Sequence, residues 1–147
     1  MAASQIGFVW QDVNAQLVTD KVWHELAFGL ESLGYNNGYV RRRVAEMGSF
    51  FGLGDIFHRK VMELSGGQKQ RIGIARALYK RAEVLFFDEA TSALDSRTEH
   101  EINRALEELS DRYRELTIII IAHRDTSLHI CDRIYNLQTG EIMHPVK

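Results

Sequence analysis

The apolar positions of the chain change period several times, and each change marks an element. Ile6-Gly7-Phe8-Val9-Trp10 is an unbroken apolar run before Gln11-Asp12, the pattern of a short strand that ends on polar residues. From Thr19 the apolar residues Val22, Trp23, Leu26, Ala27, Leu30 and Leu33 step by three and four, with Gly34 as the stop, which predicts an amphipathic helix. A loop at Tyr35-Asn36-Asn37-Gly38 separates it from a second helical pattern, Tyr39 to about Phe51, closed by Gly52 and Gly54. Ser65 is placed to cap a third helix that runs through Ile72, Ile74, Ala75 and Leu78 to about Lys80.

Val84 to Phe87 is a short apolar run ending on two acids, Asp88 and Glu89. A buried parallel strand delivers carboxylates to the carboxyl edge of a sheet in this way. Ser96 and Glu99 form a capping-box pattern for a helix through Ile102, Ala105, Leu106 and Leu109, with its charges on the outer face. Thr117 to Ala122 is β-branched with no periodicity, which predicts a strand buried on both faces and ending at His123. A helical turn near Ser127 to Cys131 follows. Arg133 to Gln138 and Glu141 to His144 then flank Thr139-Gly140, a two-residue hairpin signal.

Composition narrows the classes. At 147 residues, 45% hydrophobic and 26% charged, the chain has an ordinary soluble globular composition sized for one domain. A net charge of -2 gives no general argument for nucleic acid, and Arg41-Arg42-Arg43 reads as a solvated helix face. The single cysteine, Cys131, permits no intrachain disulfide, fits a reducing compartment, and reads as a small core residue. Met1-Ala2-Ala3-Ser4-Gln5 has neither a charged leader nor an apolar core, so no secretory signal is visible. Ile118 to Ala122 is too short to cross a bilayer, so any membrane role is expected through a partner, without direct insertion. His24, His58, His100, His129 and His144 show no metal-ligand spacing.

The chemistry concentrates in two stretches. Leu64-Ser65-Gly66-Gly67-Gln68-Lys69-Gln70-Arg71 sets a Ser and two Gly at a helix start, where backbone N–H groups can face an anion. Asp88-Glu89 puts two acids at the lip of a strand, and Ala90-Thr91-Ser92-Ala93-Leu94-Asp95 follows. In this order and spacing the two resemble the signature and Walker B motifs of ATP-binding cassette (ABC) ATPases. His123, just past its strand, resembles the H-loop; Ser92 to Asp95 resembles the D-loop; Gln11, at the end of the first strand, resembles the Q-loop glutamine.

The resemblance implies an α/β fold, part of a P-loop NTPase (RecA-like) core with parallel strands, joined to the ABC helical subdomain. Residues 12–63 would be the helical subdomain, and 1–11 with 64–147 the core, of one partial domain. It also implies roles. Ser65, Gly66 and Gly67, supported by Gln68, would bind the γ-phosphate of an ATP held by an opposing subunit, and Asp95 would belong to the loop crossing that interface. Asp88 would hold magnesium, Gln11 would approach the ion and the attacking water, Glu89 would deprotonate that water, and His123 would donate to the γ-phosphate. ATP and Mg are the implied cofactors. A homodimer or a second ABC ATPase subunit, together with a transmembrane transporter subunit, are the implied partners, at a cytoplasmic location.

The family's phosphate loop, G-x-x-x-x-G-K followed by Ser or Thr, does not occur within these 147 residues. The antiparallel region that precedes it in the family is also missing, so the resemblance covers the later part of the family's domain and the isolated chain is expected to be inactive. In the family the phosphate-loop strand lies between the strands matching Thr117 to Ala122 and Arg133 to Gln138. Its loss would leave open edges and an uncovered apolar face, to be filled by a rearranged sheet or an edge-paired homodimer. The wording is also mixed. Asp12 to Val18 with Glu25 to Gly29 resembles cobalt and energy-coupling-factor importer ATPases, whereas Ile72 to Leu78 and Asp88 to Thr91 resemble exporters, as in a chimera or fragment. In the importer family the helical subdomain touches a membrane partner. Trp23 and Phe28 are candidates for that contact, but aromatics at helical spacing are more often core, and core is the expectation. The alternative function is a non-catalytic assembly module that keeps motif residues without their phosphate cradle.

Overall fold

The computed structural model describes residues 6–79, 82–123 and 125–143. Strands β1 (Ile6–Val9), β2 (Val84–Asp88) and β3 (Thr117–Ile121) form one parallel sheet in the order β1-β2-β3, with Val9 opposite Phe87 and Phe87 opposite Ile120. Parallel neighbours need long crossovers, and helices supply them here. Between β1 and β2 lie α1 (Val22–Ser32), α2 (Asn37–Phe50) and α3 (Gly66–Tyr79); α4 (Ser96–Arg112) joins β2 to β3. A separate antiparallel pair, β4 (Ile134–Tyr135) and β5 (Ile142–Met143), follows.

The core is continuous from the helices into the sheet. Val22, Leu26 and Leu30 of α1, Val44 of α2, Ile72 and Ile74 of α3, and Ile102 and Leu106 of α4 join Val9, Leu85 and Phe87 in one buried cluster. On α1 and α4 these are positions four residues apart, and on the strands every second residue, so those elements bury the face their period creates, whereas α3, with Ile72, Ile74, Ala75 and Ala77 all buried, is covered on more than one side.

Several elements depart from expectation, each for a local reason. Helix α2 starts two residues earlier than its apolar pattern, because the Asn36 side chain accepts from the Tyr39 amide at 2.9 Å and draws Asn37 and Gly38 into the first turn. Helix α4 is capped by Asp95, not by a Ser96–Glu99 box. Asp95 Oδ1 accepts from the Thr98 amide at 3.0 Å and Oδ2 from the Thr98 hydroxyl at 2.6 Å. Those bonds, the hydroxyl's first, hold the Asp95 carboxyl below its usual range. Glu99 is consequently freed from capping and is buried rather than on the outer face. Phe28 is exposed and not core, whereas Trp23 is half-buried and packs edge-on against Phe57 with ring centroids 6.3 Å apart. Arg43 also leaves the solvated face, with its guanidinium paired to Glu46 at 2.6 Å.

Strand β3 is not buried on both faces. Ile118 and Ile120 are half-buried, while Thr117, Ile119 and Ile121 are exposed. Among the described residues no strand pairs with its outer edge, and β4 pairs with β5 instead of entering the parallel sheet. The outer strands share this exposure on the second face of the sheet, while Val84 and Phe86 of β2 between them are half-buried. Ile6, Phe8 and Trp10 on the β1 side and Ile119 and Ile121 on β3 stand exposed, and Phe8 stacks on Phe86 at 4.7 Å. The uncovered apolar face that the sequence implies is therefore present.

The hairpin loop is longer than two residues. Asn136 donates to and accepts from the far side, with its amide to Glu141 O at 2.9 Å and its carbonyl to the Gly140 amide at 2.8 Å, so the turn spans 136–141. The turn expected near Ser127 begins earlier, at Asp125–Ser127. Cys131 is half-buried, and burial pushes its thiol up. Met1 to Gln5, Lys80 and His144 lie outside the described residues.

Candidate functional site

The carboxyl edge of the sheet gathers four of the expected residues because three parallel strands end there. Strand β1 gives way to Trp10 and Gln11, β2 ends on Asp88 and hands on to Glu89, and β3 hands on through Ala122 to His123. Glu89 adopts a left-handed backbone with φ of 49°, a conformation that costs a non-glycine residue on the order of 1 kcal/mol or more. The conformation is held in place. Its amide donates to Ile121 O at 3.0 Å, extending the β2–β3 ladder by one residue, and its carbonyl accepts from the Ser92 amide at 3.0 Å.

This turn aims the side chain across the edge, where Glu89 Oε1 lies 2.7 Å from His123 Nε2. Glu89 is partly buried, but His123 is 79% exposed, so the pair faces solvent. Gln11 is tied to the same turn from the other side, its Nε2 donating to Ser92 Oγ at 3.1 Å. Asp88 is half-buried between them in sequence and register.

Ser65 to Gln68 form a second group. Ser65 Oγ accepts from the Gln68 amide at 3.2 Å, and Gln68 Oε1 accepts from the Ser65 amide at 3.1 Å, a reciprocal capping box. Gln68 is thus engaged with Ser65 itself. The amides of Gly66 and Gly67, in the first turn, have no intrahelical acceptor by position, which leaves them for an anion. The glycines differ. Gly66 is exposed, whereas Gly67 is buried, and a Cβ on it would stand 2.2 Å from Thr98 Cγ2 of α4. Gly67→Ala is expected to destabilise the chain by about 1–3 kcal/mol through overpacking, and Thr98→Ser in the same chain to recover part of the loss, read from urea midpoints.

The helix carrying this group is fastened to the loop after Gln11. Gln70 Nε2 donates to Trp10 O at 3.4 Å, Lys69 Nζ to Asn14 Oδ1 at 2.8 Å, and the Arg76 guanidinium to Gln16 O and Glu25 Oε1. Glu25 is fully buried and also accepts from the amides of Val18 at 3.0 Å and Thr19 at 2.7 Å. Glu25 stands out by no motif, and Glu99 only as half of a capping-box pattern. The available signal is an acid on an apolar stripe, Glu25 beside Val22, Leu26 and Leu30, and Glu99 in step with Ile102, Leu106 and Leu109. No cluster of three or more His, Cys, Asp or Glu suited to a metal occurs among the described residues. Nor, among them, is any helix long and apolar enough to cross a membrane.

Known proteins resemble this chain in sequence and in fold. The family model for ABC transporter matches residues 1–92. The methionine import ATP-binding protein MetN 2 of Yersinia pestis is 41% identical over 139 residues, covering 94% of this chain and 42% of that protein. That match necessarily runs through both halves of the chain, the importer-like and the exporter-like. CbiO1 of Clostridium perfringens, part of the ABC transporter complex CbiONQ, superposes with a TM-score of 0.87 at 30% identity, covering 96% of this chain and 56% of that one. The ATP-binding cassette MJ0796, in a dimeric post-hydrolysis state bound to ADP and Pi, gives a TM-score of 0.80 at 28% identity, covering 97% and 64%. The chain spans between 26% and 49% of the length of the curated relatives it matches. Matched by the family model over more than half of its length and by these two solved structures over nearly all of it, the chain belongs to the ABC transporter ATP-binding family, as a part of the ATPase domain.

Proposed function

We propose that the chain supplies the signature, Walker B, Q-loop, D-loop and H-loop elements of an ABC ATPase, and that the phosphate cradle comes from outside these 147 residues. The observation that carries this reading is the 2.7 Å approach of Glu89 to His123 beside Asp88 at the carboxyl edge. In it, Glu89 orients the attacking water and takes its proton at the carboxylate, while His123 flanks the same point and Gln11 borders it through Ser92. Ser65, Gly66 and Gly67, organised by Gln68, meet the γ-phosphate of an ATP across an interface, with Asp95 on the loop beside them.

Magnesium suits the donors present. Asp88 and the Gln11 amide offer hard oxygens, and so few ligands fit an ion completed by phosphate and water. When bound, the ion would neutralise charge on the phosphates. The division into a helical subdomain at 12–63 and a core elsewhere, a transmembrane transporter partner and a cytoplasmic location belong to the same reading.

The test is Mg-ATP hydrolysis by the purified chain beside Glu89→Gln at matched concentration. Equal, background rates are expected from both. Turnover that the substitution abolishes would show that a cradle forms from these residues alone, within one copy or across copies. A second reading, a non-catalytic assembly module, is favoured by the exposed apolar sheet face. Parallel sheets are covered on both faces, so a lone chain is expected to associate, and Ile119→Lys to reduce that association. Light scattering decides it, and a monodisperse wild-type monomer would count against association.

A further inference from the structure

Glu99 is 3% exposed and sits where none of the roles above uses it. Its Oε1 accepts from Thr126 Oγ1 at 2.8 Å, from Ser127 Oγ at 3.1 Å and, more weakly, from Thr91 Oγ1 at 3.4 Å. The hydroxyls of Thr91 and Ser127 are themselves 3.1 Å apart, and Asn103 Nδ2 donates to Thr126 O at 3.1 Å. The origin of these donors is informative. Thr91 lies two residues after Glu89, and Thr126 and Ser127 lie three and four after His123. Helix α4 therefore holds, at one carboxylate, the two segments that carry the two members of the edge pair. A cavity of about 110 Å³ is lined by both groups, Glu89 and His123 together with Thr91, Glu99 and Ser127.

We propose that Glu99 is a positioning residue, which locks the turn behind Glu89 to the segment behind His123 and so sets the spacing of the two. The chemistry favours a carboxylate here. An ionised oxygen accepts several short hydroxyl bonds, whereas an amide oxygen accepts them more weakly and brings an N–H₂ that needs acceptors of its own. The lock extends further, because Ser92, next to Thr91, is held by Gln11. A change in the Gln11 loop thus reaches Thr91 in one step and the segment after His123 through Glu99. The functional meaning of this coupling rests on the ATPase reading; the coupling itself does not.

The test removes hydroxyls at one end and reads the other, in the 147-residue chain, by amide hydrogen exchange. Thr126→Val is expected to raise exchange of the 89–95 amides by about tenfold, and Thr91→Val to do the same at 126–128, with α2 unchanged to within about twofold. Thr126→Ser, which keeps the hydroxyl, is expected to restore both segments. The ¹⁵N signal of His123 Nε2 should move in Thr126→Val and return in Thr126→Ser. Exchange that rises only around the substituted residue, or uniformly through the chain, overturns the proposal, as does a Thr126→Ser chain that behaves like Thr126→Val. No ATP turnover is read. Absent coupling thus defeats the lock whatever the chain does with nucleotide, and coupling without Glu89-dependent turnover in the completed enzyme defeats the ATPase reading instead.

Discussion

Arg76→Met is expected to cost about 3–5 kcal/mol of stability, seen as a large fall in the urea midpoint with little change in slope. The magnitude follows from what is left behind. Glu25 is 0% exposed, and its side chain meets the Arg76 guanidinium on one oxygen and two backbone amides on the other. Removing the guanidinium takes away the counter-ion and leaves the charge buried, which costs more than the pair itself contributes. Gln16 O loses its donor in the same step. Since a domain of this size has a total stability of roughly 5–15 kcal/mol, such a loss removes at least about a fifth of that margin and, at its low end, all of it. Arg76→Lys should fall between, because it keeps the positive charge but must bring its ammonium to the place of the one guanidinium nitrogen, Nη1, that donates to both Gln16 O and Glu25. A midpoint shift of less than about 1 kcal/mol for Arg76→Met would mean that Glu25 draws its stabilisation chiefly from the amides of Val18 and Thr19. The site is affected as well as the fold, because α3 is capped by Ser65 and is braced through Arg76 to Glu25 of α1 and to Gln16 O in the loop after Gln11.

The parts of this arrangement that were legible in the sequence are those governed by local rules. The steps of Val22, Leu26 and Leu30, the run from Val84 to Phe87 and the Ser65 cap are each decided within a few residues, and the structure keeps them. Asp88, Glu89, Gln11 and His123 reach one edge because parallel strands share a direction, a property the apolar runs carry. What was hidden depends on partners distant in sequence. Glu99 reads as half of a capping box until Asp95 is seen to hold Thr98, and only then is it available to the hydroxyls of Thr126 and Ser127. The run from Ile118 to Ile121 reads as doubly buried because β-branched residues record the wish to be covered, not the presence of a cover. Gly67 carries no local sign that its missing side chain is filled by Thr98.

Joined to a segment that supplies the family's phosphate loop, the chain is expected to hydrolyse Mg-ATP, and Glu89→Gln to lower that turnover by about 10²–10⁴-fold. The substitution is a narrow one. Gln keeps the shape of Glu89, its left-handed backbone and the amide bond to Ile121 O, and removes the negative charge that faces His123 together with the capacity to take a proton. ATP binding should therefore change little, and the loss should fall on kcat while KM stays close to wild type. His123→Ala acts differently. It removes the neighbour 2.7 Å from the Glu89 carboxylate but leaves the base, so its loss should be smaller than that of Glu89→Gln. If instead Glu89→Gln retained most of the turnover while His123→Ala abolished it, the proton would not pass through Glu89, and the strained turn at the end of β2 would serve to position the histidine.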